Sequence, residues 1–116
     1  VQYHIPTDKA IADKAANFIV EDLSIVYSIQ ALADKCGVST YTLKRIFKTC
    51  HGCSVASFSR TARIERSKVL LKETNNTLQM IAEEVGYTEG NNFQHGFKQM
   101  VGITPGEFRR REQKAS

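Results

Sequence analysis

Three clusters of side chains in this sequence could do chemistry. Thr40, Tyr41, Lys44, Arg45 and Lys48 gather hydroxyls and cations within one short stretch. Asn91, Asn92, Gln94 and His95, flanked by Gly90 and Lys98, offer amides and an imidazole. Cys50-His51-Gly52-Cys53, with Cys36 upstream, offers thiols. An Arg fork matches both guanine acceptors exposed in a DNA major groove, and Asn or Gln can pair bidentately with adenine. Zinc takes four thiolate or imidazole ligands, so one C-x-x-C without a second paired cluster is a weak site. Three buried or half-buried thiols, with no metal and no cofactor, are the simpler reading.

Catalysis finds little support. The sequence has no Gly-rich phosphate loop, no paired histidine metal motif and no nucleophile elbow. His4, His51 and His95 are dispersed, and none has an evident carboxylate partner nearby in sequence. The expectation is a protein that is not an enzyme.

The elements that must position these clusters are helical. Apolar residues recur at spacings of three and four, and β-branched residues form no strand-like runs. Helices are predicted near 8–23, 29–36, 40–51, 55–73, 78–85, 91–101 and 105–113. Ser28, Ser39, Ser54 and Thr77 each precede a helix and can cap it. Thr104-Pro105-Gly106-Glu107 reads as a capping box with Pro at the first helical position.

The chain also repeats itself. Residues 29–38, IQALADKCGV, align with 78–87, LQMIAEEVGY, at an offset of 49. Phe47-Lys48 then aligns with Phe97-Lys98 at an offset of 50, so the later copy carries one inserted residue. In this register Cys36 matches Val85 and Cys53 matches Ile103. Each copy has a small residue (Ala33 or Ala82) where a second helix must approach. A Gly follows (Gly37 or Gly86) that can adopt the left-handed conformation. A buried turn residue comes next, Val38 or Tyr87. A second helix then turns Leu43 and Phe47, or Phe93 and Phe97, toward a core. Two short helices joined by a tight Gly-containing turn are the arrangement that presents a second helix to DNA. A helical repeat that serves only protein contacts is the alternative.

Charge favours DNA. Thr40 to Lys72 holds eight Lys or Arg against Glu65 alone, a net +7 that leaves −3 for the rest of a +4 chain. A basic block on a slightly acidic body is the footprint of polyanion binding. Between the two copies, Val55, Phe58, Ala62 and Val69 predict an apolar stripe on a connecting helix, with Ile64 and Leu71 beside it. Such a helix, about 28 Å long against about 34 Å for a turn of B-DNA, could set two recognition helices in successive major grooves. No run of apolar residues is long enough for a membrane span, and no leader pattern is evident. The chain starts at Val1, which predicts a piece of a longer, cytoplasmic protein.

The string LADKCGVSTYTLKRIFK, then RIERSKVLL, then IAEEVGYTEGNNFQHGFKQMVGITPGEFR resembles the DNA-binding domain of the AraC/XylS regulators over about residues 25–111. The resemblance implies an all-α fold of about seven helices, in two helix-turn-helix subdomains joined by a long helix. The boundaries are about 28–52, 54–73 and 77–102, with a last helix at 104–113. It implies sequence-specific binding of double-stranded DNA by a bacterial activator or repressor. RNA polymerase is then a candidate partner, and the full-length protein is expected to carry an effector or dimerisation domain. Tyr41, Lys44 and Arg45 match positions turned to base edges in that family, and Asn91, Asn92, Gln94 and His95 form the corresponding face. Ser39, Thr40, Lys48, Lys98 and Arg110 are expected at phosphates, while Arg109 matches a terminal Arg of structural role. Gly90 and Gly96 depart from the pattern. A mid-helix Gly costs about 0.5–1 kcal/mol, so the second recognition helix is expected to be the looser one.

Overall fold

The computed structural model describes residues 6–114, and among these the secondary structure is seven α-helices with no strand. They are α1 (Asp8–Glu21), α2 (Ile29–Cys36), α3 (Thr40–His51), α4 (Val55–Glu73), α5 (Leu78–Glu84), α6 (Gly90–Val101) and α7 (Pro105–Lys114). The chain divides into two compact units between Arg60 and Thr61, within α4.

Hydroxyl caps start six of the helices. Thr7, Ser28, Ser39, Ser54, Thr77 and Thr104 each accept from the amide three residues on, at 3.1–3.2 Å, satisfying donors that a helix start otherwise leaves unpaired. The capping box at α7 is only half made: the Glu107 carboxylate turns to Arg111 at 2.9 Å. Helix α1 stops two residues earlier than its periodicity predicts. Asp22 adopts extended backbone and accepts from the Ser24 amide at 3.0 Å, a local turn that competes with another helical bond.

In the first unit, Ala12, Ala15, Ala16 and Ile19 of α1 pack with Leu32 and Ala33 of α2 and with Leu43, Ile46 and Phe47 of α3. The alanines let α1 lie close against its neighbours. Val55 and Phe58, at the start of α4, pack against this core.

In the second unit, Ile64, Leu70 and Leu71 of α4 join Ile81, Ala82 and Val85 with Phe93 and Phe97 of α6. Tyr87, Phe93, Phe97 and Phe108 form a chain of ring contacts with centroids 5.5–5.9 Å apart. Arg109 donates from Nε to the Leu71 carbonyl at 3.1 Å and from Nη2 to the Thr74 carbonyl at 3.2 Å, so it closes the C-terminal end of α4.

The single apolar stripe expected on α4 is not formed. Val55 and Phe58 pack against the first core, whereas Ile64, Leu70 and Leu71 belong to the second, and Val69 is exposed. Arg63, counted in the basic block, is buried; burial lowers its pKa, with Tyr87 acting in the opposite sense.

Both turns take the predicted form. Gly37 and Gly86 have φ of 72° and 93°. The amides of Val38 and Tyr87 reach back to the carbonyls of Ala33 and Ala82 at 3.1 and 2.8 Å. These turn residues are half-buried, not fully buried.

Gly96, within α6, sits against the turn residue Tyr87. A Cβ on Gly96 would lie 3.2 Å from the Tyr87 hydroxyl oxygen, so the glycine is the floor on which Tyr87 rests. In the aligned first unit the same two positions are Val38 and Ile46. Bulk has moved from the helix to the turn. Tyr87→Val alone should leave a void, and Gly96→Ile alone should overpack by about 1–3 kcal/mol. Together they should recover part of the loss, with a coupling of about 1 kcal/mol or more in denaturant titrations. Simple additivity would show that the two positions do not exchange volume.

Candidate nucleic-acid interface

Helix α3 buries Leu43, Ile46 and Phe47, at 0%, 2% and 0% exposure. That leaves Tyr41, Lys44, Arg45 and Lys48 exposed at spacings of i, i+3, i+4 and i+7, which is one face of a helix. Tyr41 is 75% exposed, unusual for a ring that serves only its own fold. Helix α6 buries Phe93 and Phe97 and exposes Asn91, His95 and Lys98, with Gln94 half-buried. These four stand at the same spacing and at positions 50 beyond their α3 counterparts. Asn92 is also exposed, one step round the helix.

The two helix starts differ. Ser39 accepts from the Thr42 amide at 3.1 Å and donates its hydroxyl to Thr42 Oγ1 at 2.9 Å. Its side chain is thus committed within the protein, and half-buried Thr40 follows it. An anion at this end would meet backbone amides of the first turn, where the helix dipole favours negative charge. At α6 the N-cap is Glu89, whose side chain makes no capping bond. Helix α6 begins at Gly90, one residue earlier than expected, and the Gly90 amide donates to Gln79 Oε1 at 3.0 Å.

The cations are sorted by environment. Lys9, Lys68 and Arg111 are paired with Asp13, Glu65 and Glu107 at 2.8, 3.0 and 2.9 Å. Among the described residues no such pair engages Lys44, Arg45, Lys48, Lys98 or Arg110. Arg110 lies on α7 in an open depression with Glu107, Arg111, Gln113 and Lys114. The basic block is therefore not one face: Arg63 is buried and Lys68 is paired, while Lys44, Arg45 and Lys48 of α3 are exposed and make no ion pair among the described residues.

The thiols are less uniform than expected. Cys36 and Cys53 are half-buried and Cys50 is exposed. Burial pushes the Cys36 thiol up from its ordinary value, against a smaller opposing effect of Lys14. His51 does have a carboxylate neighbour, distant in sequence: its Nε2 lies 3.5 Å from Asp13 Oδ1, and its ring lies tilted against those of Phe47 and Phe58. Among the described residues no group of three or more His, Cys, Asp or Glu could hold a metal. His4 lies outside the described residues.

Sequence reasoning did not find Gln79 as a contact to α6. Its only signal was the Gln30–Gln79 match within the repeat, which points to a shared role inside one helix.

A helix-turn-helix domain family model matches residues 32–111. The arabinose operon regulatory protein of Salmonella typhimurium is 30% identical over 107 residues, covering 91% of this chain and 38% of that protein. The C-terminal domain of AraT, a response regulator from Geobacillus stearothermophilus, superposes with a TM-score of 0.83 at 30% identity, covering 86% of this chain and 84% of that one. The DNA-binding domain of AdpA, solved in complex with a target DNA, shares the fold with a TM-score of 0.85 at 18% identity, covering 90% and 94%. The chain spans less than half the length of the first curated relatives it matches. No helix among the described residues is long and apolar enough to cross a membrane.

Proposed function

Because the chain belongs to the AraC-type helix-turn-helix domains, we propose that it binds double-stranded DNA sequence-specifically as the output domain of a bacterial transcription regulator. The observation that carries this reading is the face repeated on α3 and α6, turned outward at matching helical positions while Leu43 and Phe47, or Phe93 and Phe97, are buried beneath it. A solvated surface needs no such register. The AdpA domain, which shares the fold, was solved on its target DNA.

In this reading Tyr41, Lys44 and Arg45 meet base edges in one major groove, and Asn91, Asn92, Gln94 and His95 meet those in the next. Lys48, Lys98 and Arg110, with the helix start at Ser39 and Thr40, meet phosphates. The 19 unbroken residues of α4 suit a single chain reading two unlike half-sites. RNA polymerase and an effector or dimerisation domain are the partners this reading adds. It assigns the chain no catalytic step, metal or cofactor, and it places the activity in the cytoplasm.

Phosphate contact has a plain signature. Each neutralised phosphate contributes about −0.9 to the slope of log K against log salt, so Lys48, Lys98 and Arg110 together predict about −3 or steeper. Fluorescence anisotropy on a selected duplex and a scrambled one, at several salt concentrations, measures it. Steep slopes on both duplexes with tighter binding to the first support the proposal. Salt-indifferent binding would overturn it in favour of a protein-contact module, and equal affinity for every duplex would overturn its sequence specificity.

A further inference from the structure

We infer that Gln79 of α5 is a positioning residue for the second half-site: it sets where α6 begins and so where Asn91 and Asn92 meet base edges. The inference rests on the proposed reading of α6 as a recognition helix.

Among the described helices, α6 is the one whose start is not capped by a hydroxyl side chain just before it. The bond comes instead from Gln79, eleven residues upstream. Both ends of that side chain are held. Nε2 donates to Glu83 Oε1 at 3.1 Å, and Oε1 accepts from the Gly90 amide at 3.0 Å. A carboxylate can only accept, so Glu83 selects the amide orientation that turns the oxygen toward Gly90.

The glycine belongs to the same device. A Cβ at Gly90 would lie 2.7 Å from Gln79 Oε1, closer than any side chain could occupy without displacing it. In the first unit Gln30 makes the matching contact to Asp34 at 2.8 Å, and α3 takes its cap from Ser39. A cap from the preceding residue satisfies a helix start whichever way the helix points. A cap from α5 satisfies it only at one placement of α6 relative to α5. Asn91 and Asn92 follow directly on the residue so held.

The test compares the chain with Gln79→Ala and with Gln79→Ala combined with Glu89→Ser. Glu89 has the extended backbone of an N-cap (φ −125°, ψ 133°), so a Ser there can cap α6 locally. Hydrogen exchange of the Gly90 amide, thermal melting and competition binding to duplexes varied in one half-site at a time are measured on each, with Asn92→Ala as control. In Gln79→Ala, Gly90 protection should fall about tenfold and discrimination at the α6 half-site about fivefold, with the α3 half-site unchanged. Adding Glu89→Ser should restore melting without restoring discrimination. Unchanged Gly90 protection, intact discrimination in Gln79→Ala, or full recovery with Glu89→Ser would overturn the inference and leave the reading of α6 standing. If the wild type does not discriminate at that half-site and Asn92→Ala matches it, the reading of α6 falls, and this inference with it.

Discussion

Replacing Phe97 with Ala is expected to lower the stability of the second unit by about 3–5 kcal/mol, the range for removing a fully buried ring. Phe97 is 0% exposed and contacts Phe93 at 5.9 Å and Phe108 at 5.5 Å between centroids. It lies on the inner face of α6, opposite the residues proposed to read DNA. The void would open between α6 and α7, and neighbouring rings are poorly able to close it, because interiors relax only partly around lost volume. Denaturant titration should show the loss, and Phe97→Leu should retain most of the stability. Discrimination at the α6 half-site should fall with it, since a recognition helix is no better placed than the core beneath it. A loss below about 1 kcal/mol would mean that Phe97 is not the keystone of this core.

Arg45→Ala should have the largest effect on sequence preference. Arg45 is exposed at the middle of the outer face of α3, and its guanidinium has no carboxylate partner among the described residues. A bidentate Arg–guanine pair discriminates by about 1–3 kcal/mol, or roughly 5- to 150-fold at one base pair. Lys48→Ala should act differently, weakening all duplexes alike and reducing the salt slope by about 0.9. Selection of binding sites from a random library, run with both variants, separates the two roles. If Arg45→Ala lowered affinity for every sequence equally, Arg45 would be a phosphate contact and the base-reading role would pass to Lys44 or Tyr41.

The helices were legible because their signals are local. Hydroxyl caps, three- and four-residue apolar spacing and turn glycines act within about one helical turn, so all seven elements could be placed to within two residues. The outer faces of α3 and α6 were legible for the same reason: once Leu43 and Phe47, or Phe93 and Phe97, face inward, the remaining positions must face out. Depth and long-range partners were not. Arg63 reads as one more cation in a basic run, yet it is buried beside Tyr87. Gly96 reads as a weak point, yet it accommodates the Tyr87 hydroxyl. His51 reads as unpartnered, yet Asp13 approaches it from another helix.

By itself, then, the sequence determined the two helix-turn-helix repeats and their unequal chemistry, cationic on α3 and amide-rich on α6, because periodicity and residue type are local properties. Only the tertiary structure decided how the amide-rich helix is held. Its first amide bonds to Gln79 from α5, and a Cβ at Gly96 in its middle would meet the Tyr87 hydroxyl from the turn. The reason is physical: a hydrogen bond across eleven residues, or a ring resting on a missing Cβ, depends on distances in space, and no spacing along the chain encodes them.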